Sequence, residues 1–172
     1  KIVDKIEKAK RNVALKVNEE MTILYWNIGK DITENVLNYE RAEYGKAVIK
    51  KLSQRLTVEY GRGYSSANLF RMLKVYEYYP DFQKFSTLSR KLSWSHFVEL
   101  LQVKDSLKRD FYTTMCENEF WGVRTLRERI GSALFERTAI SKRPEQTIVN
   151  DLKLLNEENK MTTNLFFRDP YI

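Results

Sequence analysis

The chain opens on one long amphipathic pattern. Ile6, Ala9, Val13, Val17, Met21, Leu24, Ile28 and Ile32 follow steps of three and four, the period of a helix with one apolar side. The spacing predicts a single helix over roughly the first forty residues, with Tyr25 and Trp26 beside the stripe. Gly29 inside it predicts close packing against a neighbour. After a polar joint at 41–45, Val48, Leu52, Leu56 and Tyr60 recur every four residues and predict a second helix. Gly61-Arg62-Gly63 interrupts it, because glycine enters positive φ without steric cost. A third helix follows, with Ser65 or Ser66 as its cap. Leu69, Leu73 and Tyr76 share one face of it, and Ala67, Arg71, Lys74 and Tyr78 the opposite one. Pro80-Asp81 ends that helix.

Residues 82–92 read as a connector containing Lys84, Arg90 and Lys91. Helices are then expected from near Ser93, with Trp94, Phe97, Leu100 and Leu101 inward, and over Asp105–Glu119, with Leu107, Phe111, Met115 and Cys116 inward. Phe120-Trp121-Gly122 makes a turn, and Val123 to Arg137 a further helix. Tyr64, Leu69 and Leu73 share their spacing with Trp121, Leu126 and Ile130, which suggests two related hairpins. Beyond Arg137 come a linker with a helix start at 141–144, a helical pattern through Ile148, Leu152 and Leu155, and an apolar, β-prone end at 161–172. The expected fold is all-α: a helical bundle with a long N-terminal helix and one or two helix-turn-helix-like hairpins. The expected division is a helical domain over 1–140, then a linker helix and the start of a further domain over 141–172.

Composition narrows the chemistry. A hydrophobic share of 42% and an aromatic share of 13% provide a core and argue against disorder. Cys116 is the sole cysteine, which excludes an internal disulfide, and with His96 as the sole histidine there is no zinc-type ligand set. His96 beside an apolar face reads as a packing residue, and Cys116 as an inert buried thiol. No apolar run approaches the roughly 18 residues of a membrane span, so no membrane partner is expected and the default location is cytoplasmic. No phosphate-cradling glycine motif or nucleophilic triad stands out.

Charge changes the picture more. The chain carries +7, and residues 41–109 alone sum to +8, from fourteen cations against six acids. That excess falls on the hairpin and its surroundings, where a basic surface would attract polyanions and bind them in a salt-dependent way. Two helices joined by a glycine turn, with a basic outer stripe on the second, match a helix-turn-helix. The candidate contacts are Arg62, Arg71 and Lys74 to phosphate or base edges, with Tyr64, Ser65 and Ser66 at the turn. Ser66 and Asn68 stand near the start of the second helix where bases would lie, and Lys50, Lys51 and Arg55 would hold the backbone. On the second hairpin Arg124 points outward, but Glu128 does too, so the first hairpin is the better DNA reader.

Val17-Asn18 with Leu24 to Gly29, Tyr44 to Lys46 with Leu52-Ser53, Gly63 to Ser65 with Asn68-Leu69 and Met72, and Tyr76 to Pro80 form a recognisable set. Leu92 to His96, Arg109 to Tyr112, Trp121 to Leu126, Ile130 and Glu136-Arg137 extend it. Together, across most of residues 12–137, they resemble the N-terminal helical domain of the YhcG-type family of PD-(D/E)XK nucleases. The resemblance implies a DNA-associated nuclease parent whose catalytic domain, with its Mg²⁺, follows the helical one; Arg168 to Tyr171 look like the entry to it. The family's catalytic acids and lysine fall in that domain, so the resemblance implies no catalytic, cofactor or metal residue here. Pro80-Asp81 with Glu158-Asn159-Lys160 spells the nuclease signature only superficially, since such sites need carboxylates on adjacent strands.

Two classes of function remain. One is a non-catalytic DNA-docking domain, with duplex DNA and its own C-terminal nuclease domain as partners. The other is a protein-interaction or dimerisation module of the same nuclease without direct DNA contact, in which the first helix pairs two copies as a homodimer.

Overall fold

A computed structural model describes residues 1–36 and 42–140. The expected linker, the helix at 145–158, the β-prone end and Glu158 to Lys160 lie outside the described residues. The described residues form helices and no strand, in the order α1 (Ile2–Asp31), α2 (Ala42–Tyr60), α3 (Ser66–Tyr78), α4 (Phe82–Ser89), α5 (Trp94–Leu100), α6 (Ser106–Glu119), α7 (Val123–Gly131) and α8 (Leu134–Ile140). A π-helical turn, Ile32–Val36, follows α1, and a 3-10 turn, Arg62–Tyr64, precedes α3. The fold is all-α, as the periodicity predicts. The chain divides into two compact units, Lys1–Leu101 and Gln102–Ile172.

In the first unit α1 packs mainly on α3. The close approach predicted at Gly29 is present: a Cβ there would lie 2.2 Å from the Met72 carbonyl oxygen. The seam on α1 is Thr22, Trp26 and Gly29 rather than the predicted stripe. Of that stripe Ile32 is buried and Met21 and Ile28 half-buried, whereas every residue from Lys1 to Val17 is exposed. Ile32, Ile49, Leu69 and Met72 form one core cluster. Trp26 anchors a second, aromatic group with Tyr76, Phe82 and Phe85. Its Nε1 donates to the Tyr79 carbonyl at 2.7 Å, so the ring is fixed at its polar end as well.

Two boundaries differ from expectation. The stretch 82–92 contains α4, because Asp81 caps it by accepting from the Lys84 N–H at 3.1 Å while Phe85 and Leu88 turn inward. On α2 Gly45, Ile49 and Ser53 are buried, with Val48, Leu52 and Leu56 half-buried and Tyr60 exposed. His96 is buried, and its Nδ1 accepts from the Ser93 N–H at 3.0 Å at the start of α5, the packing role expected of it.

The second unit is built on α6. Asp105 caps this helix through the Lys108 N–H at 2.8 Å, and Phe111, Tyr112, Met115 and Cys116 are buried. The single helix expected over Val123–Arg137 is two, broken where Ala133 takes φ 53°. The break lets Phe135 turn inward to stack edge-on with Phe111 at 5.4 Å. There its N–H donates to the Tyr112 hydroxyl at 3.2 Å, and that hydroxyl donates to the Arg129 carbonyl. Burial pushes the Cys116 thiol up to about 12, which agrees with an inert side chain.

Candidate nucleic-acid interface

The hairpin is α2, the connection Gly61–Ser65 and α3. That connection is five residues, one or two longer than the usual helix-turn-helix turn. Gly61 sits at φ 91°, the left-handed region in which a side chain is strained, and its N–H closes α2 on the Thr57 carbonyl at 3.0 Å. The expected serine cap is not made through a hydroxyl: Ser65 is the N-cap residue but its side chain accepts no backbone bond. The turn is held by Asn68 instead. Its amide donates to the Gly63 carbonyl at 2.6 Å and accepts from Trp94 Nε1 at 3.2 Å. Both ends of that side chain are engaged within the fold, which leaves it poorly placed to read a base. Tyr64 is half-buried and stacks edge-on with Tyr25 and Tyr60 at 6.2 and 6.0 Å, so it too braces the turn.

The cations behave differently. Between Lys46 and Lys74 there are seven of them against one acid, Glu59. Lys46, Lys50, Lys51, Arg55, Arg62, Arg71 and Lys74 are all exposed. Lys74 pairs with Glu77 at 2.7 Å and lies 5.9 Å from the centre of the Tyr78 ring. Elsewhere exposed cations are more often tied to neighbouring acids, as Lys10 is to Glu7 and Lys16 to Glu19 and Glu20. On α3 the buried positions are Leu69, Met72 and Val75, with the expected Leu73 and Tyr76 only half-buried; Ala67, Arg71 and Lys74 are exposed as predicted, whereas Tyr78 is half-buried.

Phe70 shares that outward face and is 39% exposed. Sequence reasoning passed over it because a phenylalanine in a helix is first assigned to a core, yet its place next to Arg71 and one turn from Lys74 was legible. Lys46 was missed as well, although it stands one turn before Lys50. Ser66 is half-buried at the start of α3. Arg124 belongs to the second unit, is exposed, and pairs with Glu128 at 3.3 Å. Arg129 lies over the Trp121 ring at 5.9 Å.

The exposed surface of the hairpin is predominantly basic, with Glu59 and Glu77 the exposed acids among its described residues. The chain belongs to the DUF1016 N-terminal domain family, which it matches over residues 1–137. It is also 30% identical over 170 residues to the Escherichia coli (strain K12) protein named "Putative nuclease YhcG". That similarity covers 81% of this chain and 45% of the relative, so the chain spans about half the length of that protein. No solved structure matches the chain.

Proposed function

We propose that the first unit is a non-catalytic docking domain that seats a nuclease on duplex DNA through the α2–α3 hairpin. The observation that carries this reading is the run of seven exposed cations against a single acid from Lys46 to Lys74. The nuclease name of the relative supports it. In this reading Arg62, Arg71 and Lys74 contact phosphate or base edges. Lys50, Lys51 and Arg55 hold the neighbouring backbone, with Lys46 extending their row. Phe70 gives Arg71 an apolar flank that can lie against sugar or base. Ser65 and Ser66 stand at the turn, where backbone and hydroxyl can meet phosphate, while Tyr64 and Asn68 keep the turn in shape. Cleavage is assigned to the part of the parent protein that lies beyond this helical domain.

The test is a fluorescence-anisotropy titration with short duplex DNA at two salt concentrations, for wild type and for Arg71→Ala/Lys74→Ala. Wild-type affinity is expected to fall steeply with salt. Each phosphate contact removed lowers the slope of log K against log salt by about 0.9, so the double variant should lose up to about 1.8. Both side chains point away from the core, so its circular dichroism and melting should match wild type. Unchanged affinity and slope in the folded variant would refute the placement.

A further inference from the structure

The N-terminal part of the apolar stripe that opens the sequence is exposed on the first unit. Ile2 is 76% exposed, Ile6 48%, Val13 64%, Val17 56% and Leu24 41%. At 100° per residue these five lie about 160° around α1 from the seam of Thr22, Trp26 and Gly29. From Thr22 onward the helix packs on the first unit with one side, while Lys1 to Val17 are exposed all round, and the aliphatic line runs roughly 33 Å along it. Among the described residues α1 packs mainly on α3, through the seam and not through this line. Val3 and Leu15, also exposed, fall off the line, Leu15 on the azimuth of the seam but short of it along the helix.

The same helix is polarised in charge. Residues 1–16 carry six cations and two acids, whereas residues 17–34 carry four acids and one cation. Cations at the start of a helix and acids toward its end run against the helix dipole, so α1 is unfavourably charged on its own. A second α1 laid antiparallel reverses this. With Val13 against Val13, Ile2 meets Leu24, and Glu20 of one copy comes between Lys5 and Lys10 of the other. A parallel pair would instead bring the two basic ends together. The N-terminal dipole of each helix would also lie beside the acidic C-terminal half of its partner.

We infer that the Ile2–Leu24 line of α1 is a self-complementary surface that takes a second copy of this chain in antiparallel register, centred on Val13. The line is one helix wide and falls short of a standard interface, so pairing is weak, with a Kd on the order of 10 µM. The inference is independent of DNA docking.

Sedimentation equilibrium of the full chain tests it across concentrations from about 1 to about 200 µM. Wild type is expected to move from one chain mass to twice that mass, and Val13→Glu to remain at one. The register is read with two single-cysteine variants, Ile2→Cys and Leu24→Cys, which the buried Cys116 does not disturb. Oxidising each alone should yield little cross-linked dimer, and oxidising their mixture should yield much. A wild type that stays monomeric throughout would overturn the inference and assign the line to a different protein. A dimer that survives Val13→Glu, or cross-linking of each variant with itself, would overturn it too.

Discussion

Replacing Gly29 with alanine would place a Cβ 2.2 Å from the Met72 carbonyl oxygen and 2.6 Å from its carbon. Both atoms are backbone, so no rotamer change relieves the contact. Reaching ordinary contact at 3.4 Å requires α1 and α3 to separate by about 1.2 Å at this point. Leu69, Met72 and Val75, all fully buried, line the same seam and would lose contact together. Overpacking of this kind costs about 1–3 kcal/mol, and a gap of about 1 Å forfeits a quarter to a half of each neighbouring dispersion well. Against this, alanine gains about 1 kcal/mol over glycine inside a helix. Because the clash is with backbone, the upper part of the overpacking range applies, and the net expectation is a loss of about 1–2 kcal/mol. Urea unfolding followed by tryptophan fluorescence should show the first unit's midpoint falling by about 1 M, for a slope of about 1.5 kcal/mol per M. Gly131→Ala is the control: it also sits in a helix, but a Cβ there meets nothing within 4 Å. That change should stabilise the second unit by up to about 1 kcal/mol. If Gly29→Ala unfolds at or above the wild-type midpoint while Gly131→Ala behaves as expected, the close approach of α1 to α3 is refuted.

Two further predictions concern the second unit. Ala133 holds a left-handed backbone at φ 53°, so Ala133→Gly should raise the unit's melting free energy by about 0.5–1 kcal/mol; a destabilised variant would contradict the break between α7 and α8. Glu136 is held below the ordinary glutamate value of 4.5 by its hydrogen bond from Lys108, with burial opposing. Its contribution is therefore present above that value and lost as pH falls through the depressed one. The pair is partly exposed, so the gain is below about 1 kcal/mol. Glu136→Gln should be less stable than wild type at pH 7 and equal to it once both are acidified well below 4.5. A gap that persists in acid would show that the ion pair is not its source.

Punctuation was the legible part of this fold. Gly61, Pro80 and Asp105 each mark a boundary through a local backbone requirement, and each boundary falls where that requirement places it. Gly29 was legible in the same way, since a glycine inside a long helix costs stability that close packing can offset. What the sequence withheld was which surface covers each face. Periodicity shows that Ile6, Val13 and Val17 share a side of α1 but not that the core is on the other side, where Thr22 and Gly29 are too small to register as apolar. The break at Ala133 was hidden because its cause, the seating of Phe135 against Tyr112 and Phe111, is a contact between helices. In the hairpin, the exposure of Arg71 and Lys74 followed from the outer face of α3 alone. The roles of Tyr64 and Asn68 did not, because their partners Tyr25 and Trp94 come from distant parts of the chain.

The two faces of α1 also explain why this unit can be basic without being weakly folded. Its inner side is fixed by close backbone packing and by the Trp26 ring, and neither interaction involves charge. Cations can then accumulate on α2 and α3 with little penalty, since their side chains stand in water and repulsion between them is screened over about 10 Å. The Asn68 clip and the tyrosine contacts hold the turn that carries Arg62, while Glu77 offsets the charge of Lys74 at 2.7 Å. The arrangement gives up a little stability at the hairpin surface and recovers it in the α1–α3 seam. Disrupting Gly29 should for that reason weaken the DNA docking proposed for the hairpin without removing a single one of its charges.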